Sequence, residues 1–305
     1  MSKWDVLGFG VVAVDDLIYV DRYPPPDTKI PMRGQRREGG GLTGTALVAA
    51  ARLGAKTAYG GVLGDDELSH FTIRALEREG VDCTLALHQA GARPYYAIII
   101  VDQATGQRTI FYSSDGAVKR RPDQVTDELI TSCRVLFVDY AMADGGLRAV
   151  QLARARGIPV VGDIEQETAP CVEEMMPLID HLIVGVEMAR RVTGETQPDR
   201  MVRALSRSDR ACCVVTAGEQ GCWYSEYGGP VLHFPAFQVQ VVDTTGCGDV
   251  FHGAYAACIA WGESVSRAVQ IATAAASIKA TQPGGRTGIP DLSATKRFLG
   301  ERRSR

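Results

Sequence analysis

Asp243-Thr244-Thr245-Gly246-Cys247-Gly248-Asp249, followed by Val250-Phe251-His252-Gly253-Ala254, is the stretch on which the reading of this chain rests. Two glycines flank one residue just before a run whose apolar members, Val250, Phe251, Ala254, Ala257, Cys258 and Trp261, recur at helical spacing. Glycine lets the backbone turn tightly and aim consecutive N–H groups at one spot. With the positive end of the helix dipole behind them, the amides of Gly246, Cys247 and Gly248 form an anion site suited to a transferring phosphoryl group. Asp249 opens the helix, so its carboxylate is expected to stay ionised and to accept a proton from an attacking hydroxyl. A helix cap and a tight turn would explain these residues one at a time. The whole string ahead of a small-residue helix favours the chemical reading, with Asp249 as catalytic base.

Around this loop, short apolar runs alternate with amphipathic stretches, the pattern of a parallel sheet flanked by helices. Strands are expected over 6–10, 57–63, 135–138, 160–161, 182–184 and 212–216. Helices are expected over 67–79 (capped by Asp65-Asp66 and stopped at Gly80), 146–156, 187–193, 199–206, 249–261 and 264–280. Two regions break the rhythm. Residues 17–40 hold Pro24-Pro25-Pro26 and Pro31 and lack helical periodicity, while 95–101 and 108–112 read as a β-hairpin around a loop at 102–107. Together they suggest a small sheet standing off the main domain, a lid of the kind that keeps water from phosphoryl transfer. The expected organisation is a single domain over 1–305 with lid segments at about 12–40 and 92–114.

The chain has 305 residues, 45% hydrophobic and 23% charged, with a formal charge of −3, which fits a large α/β domain and calls for neither nucleic acid nor an anionic membrane. No signal sequence and no run of ~20 apolar residues is present. Eight cysteines occur without a CxxC pair, which points to buried thiols in a reducing compartment, so a soluble cytoplasmic protein is expected.

The loop resembles the C-terminal signature of the PfkB/ribokinase family of carbohydrate kinases, and other landmarks follow in family order along nearly the whole chain. Gly39-Gly40-Gly41 with Ala49-Ala50-Ala51-Arg52-Leu53-Gly54-Ala55 resembles the N-terminal signature. Val215-Thr216-Ala217-Gly218 with Gly221 resembles the strand and loop that hold ATP phosphates, and Pro283-Gly284-Gly285 the late adenine-side loop. The resemblance implies a ribokinase-like three-layer α/β/α sandwich with a small β-sheet lid. It also implies ATP and Mg²⁺, stimulation by a monovalent cation, a small-molecule sugar substrate, and a homodimer formed through the lid. By the same resemblance Asp249, Gly246, Cys247 and Gly248 are catalytic, and Thr216, Gly218, Gly221, Gly246, Gly248 and Gly284 bind ATP. Asp15, Gly40, Gly41, Thr45 and Arg108 are the sugar-binding candidates. A carboxylate at position 15 is apt because it can accept two sugar hydroxyls at once.

Departures from the family pattern carry information too. Thr45 stands where an Asn is usual. The Asn-x-x-Glu motif linked to magnesium should fall at Gly185-Val186-Glu187-Met188, which lacks both the Asn and the final Glu. Because Mg²⁺ keeps several waters, Asp163, Glu165 and Glu187 are the candidates to organise it through water. Cys247 replaces the usual Ala, and a thiol at a helix N-terminus is expected to have a depressed pKa and to be oxidisable.

Within the family the quoted strings look most like sulfofructose kinase and, more distantly, ketohexokinase, both implying a ketose phosphorylated at its primary C1 hydroxyl. A sulfonate would need Arg, Lys or amide donors. Residues 139–142 and 111–113 offer mainly aromatic and apolar groups, leaving Arg33, Arg36, Arg37 and Arg108 as anion partners. The leading reading is therefore a fructose-like ketose. A sulfosugar, a nucleoside resting on Tyr95-Tyr96, and a catalytically silent sugar-binding protein are the alternatives. Gly8-Phe9-Gly10 loosely matches a dinucleotide fingerprint, but extended chain follows it where a helix is required. No phosphate loop of the GxxxxGK[ST] type occurs, and the histidines lack metal-ligand spacing. Among them, His252 lies one turn into the catalytic helix.

Overall fold

The computed structural model describes residues 2–105 and 107–303; Gly106 of the expected hairpin loop lies outside the described residues. Strand β1 (Trp4–Phe9) leads into β2 (Ala13–Val20), β3 (Gly34–Gly40) and helix α1 (Leu42–Arg52). Next come β4 (Thr57–Tyr59), β5 (Val62–Leu63), α2 (Glu67–Arg78), β6 (Val81–Asp82) and β7 (Leu87–His88). The hairpin β8 (Tyr95–Asp102) and β9 (Arg108–Ser113) is followed by α3 (Asp127–Thr131). Strand and helix then alternate through β10 (Cys133–Asp139), α4 (Ala143–Ala155), β11 (Val160–Asp163), α5 (Val172–Met175) and β12 (His181–Gly185). Helices α6 (Val186–Thr193) and α7 (Pro198–Leu205) precede β13 (Cys212–Thr216), β14 (Cys222–Glu226) and β15 (Leu232–Phe234). Helices α8 (Cys247–Ala260), α9 (Val265–Lys279) and α10 (Leu292–Arg303) close the chain.

The large sheet runs β15-β14-β13-β12-β11-β10-β1-β4-β6. It is parallel from β13 to β6, and β14 and β15 add to one edge antiparallel. Strands β14 and β15 thus extend the parallel sheet expected from the sequence with an antiparallel edge. Burial on both faces explains the unbroken apolar runs of the central strands. Successive side chains point to opposite faces, so Val135 and Phe137 pack with α1, α8 and α9, whereas Leu136 and Val138 pack with α4, α6 and α7. That makes the three-layer α/β/α sandwich. Asp66 caps α2 as expected, accepting from the Ser69 amide at 2.8 Å. The single strand expected over 57–63 is instead two, since β4 joins the large sheet and β5 pairs with β7.

From β1 the chain progresses to β4 on one side, and it later returns to lay β10 on the other. Strand order thus reverses between β1 and β10, and ligands of open α/β sheets bind beyond the carboxyl ends at such a reversal. A smaller sheet, β3-β2-β8-β9, is joined antiparallel, parallel and antiparallel, with Leu17, Ala97 and Ile99 as its own core. Ile110, Phe111 and Tyr112 of β9 are exposed.

Residues 43–50 of α1 are all buried, because α8 lies directly against them. That approach needs Gly253, where a Cβ would sit 1.9 Å from the Ala46 carbonyl oxygen. At an exposed helix position Gly→Ala would gain ~1 kcal/mol. Here Gly253→Ala should give a net loss of about 1–3 kcal/mol from overpacking, read as a lower urea midpoint with an unchanged m-value. A gain in stability would contradict this packing.

Candidate active site

Carboxylates gather at the strand reversal. Asp139 ends β10 and is fully buried, accepting from the Val11 amide (2.6 Å), the Thr43 hydroxyl (2.8 Å) and the Ala141 amide (3.0 Å). It ties the exit of β1 to the start of α1. Asp163 ends β11; its Oδ1 is 3.4 Å from His252 Nε2, and its Oδ2 is buried without a hydrogen-bond partner. The His252 ring spans the carbonyls of Gly248 (Nδ1, 2.8 Å) and Ile183 (Nε2, 3.2 Å), so it braces α8 against β12. Asp249 stands in the first turn of α8, in the field of Glu165, Asp139 and Asp15.

Burial and these like charges push the Asp249 carboxyl well above the ordinary carboxylate range, with Arg286 opposing them. Asp163 is driven up by burial, then by Glu165 and Asp249. Burial and like charge both act against the ionised form that the sequence reading expects at Asp249. Desolvation of the carboxylate outweighs the helix dipole.

The orphaned Asp163 Oδ2 beside Glu165 suits a hard divalent cation, which would relieve both the missing partner and the repulsion. Among the described residues no group of three or more His, Cys, Asp or Glu is preassembled to hold a metal, so water would complete its shell. Glu187 does not join the cluster. Its carboxylate is exposed and pairs with Arg190 at 2.6 Å, one helical turn along α6.

The anion loop is built around Asp243. Its Oδ1 accepts from the Thr245 amide (2.8 Å) and hydroxyl (2.7 Å), and its Oδ2 from the Gly284 amide (2.9 Å). Arg108, placed among the sugar ligands by the resemblance, reaches Asp243 at 3.6 Å from the small sheet. Lys279 Nζ donates to the Asp243 carbonyl at 2.8 Å. Gly246 then caps α8 at φ +73°, where a Cβ would lie 2.7 Å from the Gly285 carbonyl, so only glycine fits.

A cavity of about 750 Å³ opens beside the loop, within the usual span of small-molecule sites. Thr216, Gly218 and Gly221 line one side, and Thr244, Cys247 and Gly248 the other. Gly284 is tied to Asp243 rather than lining this cavity. The Cys247 amide is turned to the Thr244 carbonyl at 3.2 Å, so one of the three expected anion-hole amides is engaged within the turn. Its thiol lies 3.5 Å from the Ala276 carbonyl, and burial pushes it up to about 11. The depressed pKa expected from sequence is therefore not found at this thiol, because burial outweighs the dipole here as well.

On the opposite side of Asp249, Arg286 is buried and threads between the glycines of the N-terminal motif. Its Nη2 donates to the Gly40 carbonyl at 2.7 Å and its Nε to the Thr45 hydroxyl at 3.3 Å. A Cβ at Gly39 or Gly44 would lie 2.4 or 2.6 Å from its nitrogens. Thr45 is itself buried, so it supports Arg286. Gly41 caps α1 at φ +85°. Asp15 is raised to about 6, chiefly by burial, with Arg286 opposing and Glu38 and Asp16 adding to it. The sequence reading missed the roles of Arg286 and Asp139. The only local signals were an arginine directly after Gly284-Gly285 and an acid ending an apolar strand.

An acid with a raised pKa binds more protons folded than unfolded between its two pKa values, so stability falls as pH rises through that window. For Asp15 the window runs from 3.8 to about 6. Asp15→Asn should remove a loss of roughly 3 kcal/mol between pH 4 and pH 7. Urea titrations of both proteins at the two pH values check this, and parallel pH dependences would contradict it.

The family model described as pfkB family carbohydrate kinase matches residues 9–292. A fructokinase-1 of Oryza sativa subsp. japonica is 30% identical over 278 residues, covering 82% of this chain and 85% of the relative. A ribokinase of Haemophilus influenzae is 26% identical, covering 95% and 96%. A solved structure from Agrobacterium tumefaciens with a provisional ribokinase assignment superposes with TM-score 0.91 at 30% identity, over 98% of each chain. The chain belongs to the pfkB family of carbohydrate kinases, phosphotransferases whose acceptor is an alcohol group of a sugar.

Proposed function

We propose that this sugar kinase transfers the γ-phosphoryl of ATP to the primary C1 hydroxyl of a fructose-like ketose, with Asp249 as the base. The observation that carries the proposal is the position of Asp249. Its neighbour Gly248 lines the 750 Å³ cavity, while its carboxyl lies, like that of Asp15, in the field of the Arg286 guanidinium. A donor in the cavity and an acceptor at Asp15 would meet at Asp249. There the carboxylate takes the hydroxyl proton as the oxygen attacks in line, and the amides at the start of α8 receive the developing negative charge. Asp15 orients the sugar by accepting from its hydroxyls. Asp163 and Glu165 would hold Mg²⁺ through water, and when bound it neutralises phosphate charge.

The small sheet formed by β2, β3, β8 and β9 serves as the lid, with Arg108 linking it to the anion loop. Its exposed Ile110, Phe111 and Tyr112 support a homodimer through that face. All eight cysteines are free thiols and five are buried, in keeping with a reducing cytoplasm. Among the described residues no helix is long and apolar enough to cross a membrane.

The ketose reading draws on the fructokinase relative and on the loss of free anion partners. Arg33, Arg36, Arg37 and Arg108 are all held in ion pairs, by Asp21, Glu38, Asp16 and Asp243. One observation favours a second reading, an anion-bearing ketose such as sulfofructose. Lys119 lies over the Tyr95 ring at 5.8 Å and lines a small cavity with Val12, Tyr59 and Met142.

A panel of ketoses, sulfofructose, ribose and nucleosides, read by coupled ADP release, tests substrate and chemistry together. Fructose should give the highest kcat/KM, and Asp249→Asn should fold normally while turnover falls ~10²–10⁴-fold. Near-normal turnover in that variant would sink the mechanism, and silence with every sugar would favour the non-catalytic alternative. A preference for sulfofructose that Lys119→Met abolishes would establish the second reading.

A further inference from the structure

Lys279, the last residue of α9, has no exposed surface, and the mechanism above does not use it. Its ammonium points into the anion loop and donates to the Asp243 carbonyl. Burying a lysine costs several kcal/mol unless it is well paired, so such a side chain needs a reason to be there. The site supplies one. The Asp243 carboxylate lies on the same residue and is held below its ordinary range by Thr245, Gly284 and the Lys279 charge. The C-terminal end of α9 adds further negative potential.

We propose that Lys279 is a built-in cation of the anion loop and the positioning residue that holds it in shape for nucleotide phosphates. Asp243 is gripped on both of its functional groups. Its carboxylate fastens Thr245 and Gly284, and its carbonyl is fastened by Lys279. Three residues later the chain makes the left-handed turn at Gly246 that starts α8. A backbone carbonyl turned inward at this place needs a positive partner. A potassium ion or an ammonium can serve, since both are singly charged and bind carbonyl oxygens. Here the chain supplies the ammonium covalently, so the stimulating monovalent cation implied by the resemblance has no role to fill. The charge also lies beside Cys247, which lines the cavity, where it adds fixed positive potential near the phosphates.

The proposal rests on the reading of this cavity as the ATP site, and calorimetry with MgADP keeps the two apart. Wild type should bind ADP equally well in potassium chloride and in tetramethylammonium chloride at equal ionic strength. Lys279→Met should bind about tenfold more weakly in tetramethylammonium, the loss expected for one charged hydrogen bond, and recover in potassium or ammonium. Lys279→Arg should keep part of the affinity without added potassium. Three results would overturn the proposal: a severalfold gain by wild type in potassium, an unchanged Lys279→Met, or a loss that no cation restores. Should Lys279→Met fail to fold, the wild-type comparison and Lys279→Arg still decide. No ADP binding by wild type in either salt would sink the ATP reading itself, and the proposal with it.

Discussion

A single buried guanidinium joins the two ends of the chain at the site. Arg286 arrives from the loop after α9 and donates to the Gly40 carbonyl and the Thr45 hydroxyl, at the end of β3 and the start of α1. Gly39 and Gly44 leave the space it occupies, which gives the N-terminal glycine motif a packing reason. Burial lowers the guanidinium to about 10, so it stays charged at neutral pH. It is the cation set against both Asp15 and Asp249. Removing it would leave those carboxyls in a low-dielectric cleft with only like charges for company.

The sheet topology supplies the rest of the tension. Reversal of strand order between β1 and β10 brings the ends of β10 and β11 together, and each ends in an aspartate. Asp139 is fully satisfied by hydrogen bonds and serves the architecture. Asp163 is not satisfied, and with Glu165 and Asp249 it forms a cluster that is costly until positive charge enters. Such a site trades stability for readiness, as functional sites commonly do.

Much of this was legible in the sequence because it is local. The loop, its glycines and the helix after it lie within a dozen residues, and the expected helix 249–261 differs from α8 by two residues at its start and one at its end. The helix over 264–280 was as close, because alanine-rich runs between Ser264 and the late glycines have few other solutions. The Arg286 contact to Gly40 spans 246 positions, and no periodicity or spacing rule reaches that far. Asp139 was hidden for another reason: an acid ending an apolar strand looks like the start of a loop until the burial of its neighbours is known. Glu187 was misplaced because proximity to a motif in sequence says nothing about which way a helix turns its carboxylate.

The two electrostatic expectations that reversed, at Cys247 and Asp249, share one cause. Both were read from the helix N-terminus, whose dipole favours negative charge by ~0.3–1 kcal/mol and at best ~2 kcal/mol. Burial disfavours charge, even where it is partial as at these two residues, and each pKa unit is worth ~1.4 kcal/mol. The local term is visible in sequence and the larger one is not, so the sign came out wrong at both residues. For Cys247 the result is a thiol pushed up to about 11 rather than down. For Asp249 it is a carboxyl whose proton affinity is set by burial and by the charges around it. Burial raises it most, Glu165, Asp139 and Asp15 add to the rise, and Arg286 opposes it. Positive charge near Asp163 would lower that affinity and added negative charge would raise it. The same crowding of carboxylates that weakens the fold thereby ties the proton affinity of Asp249 to the charge placed beside it.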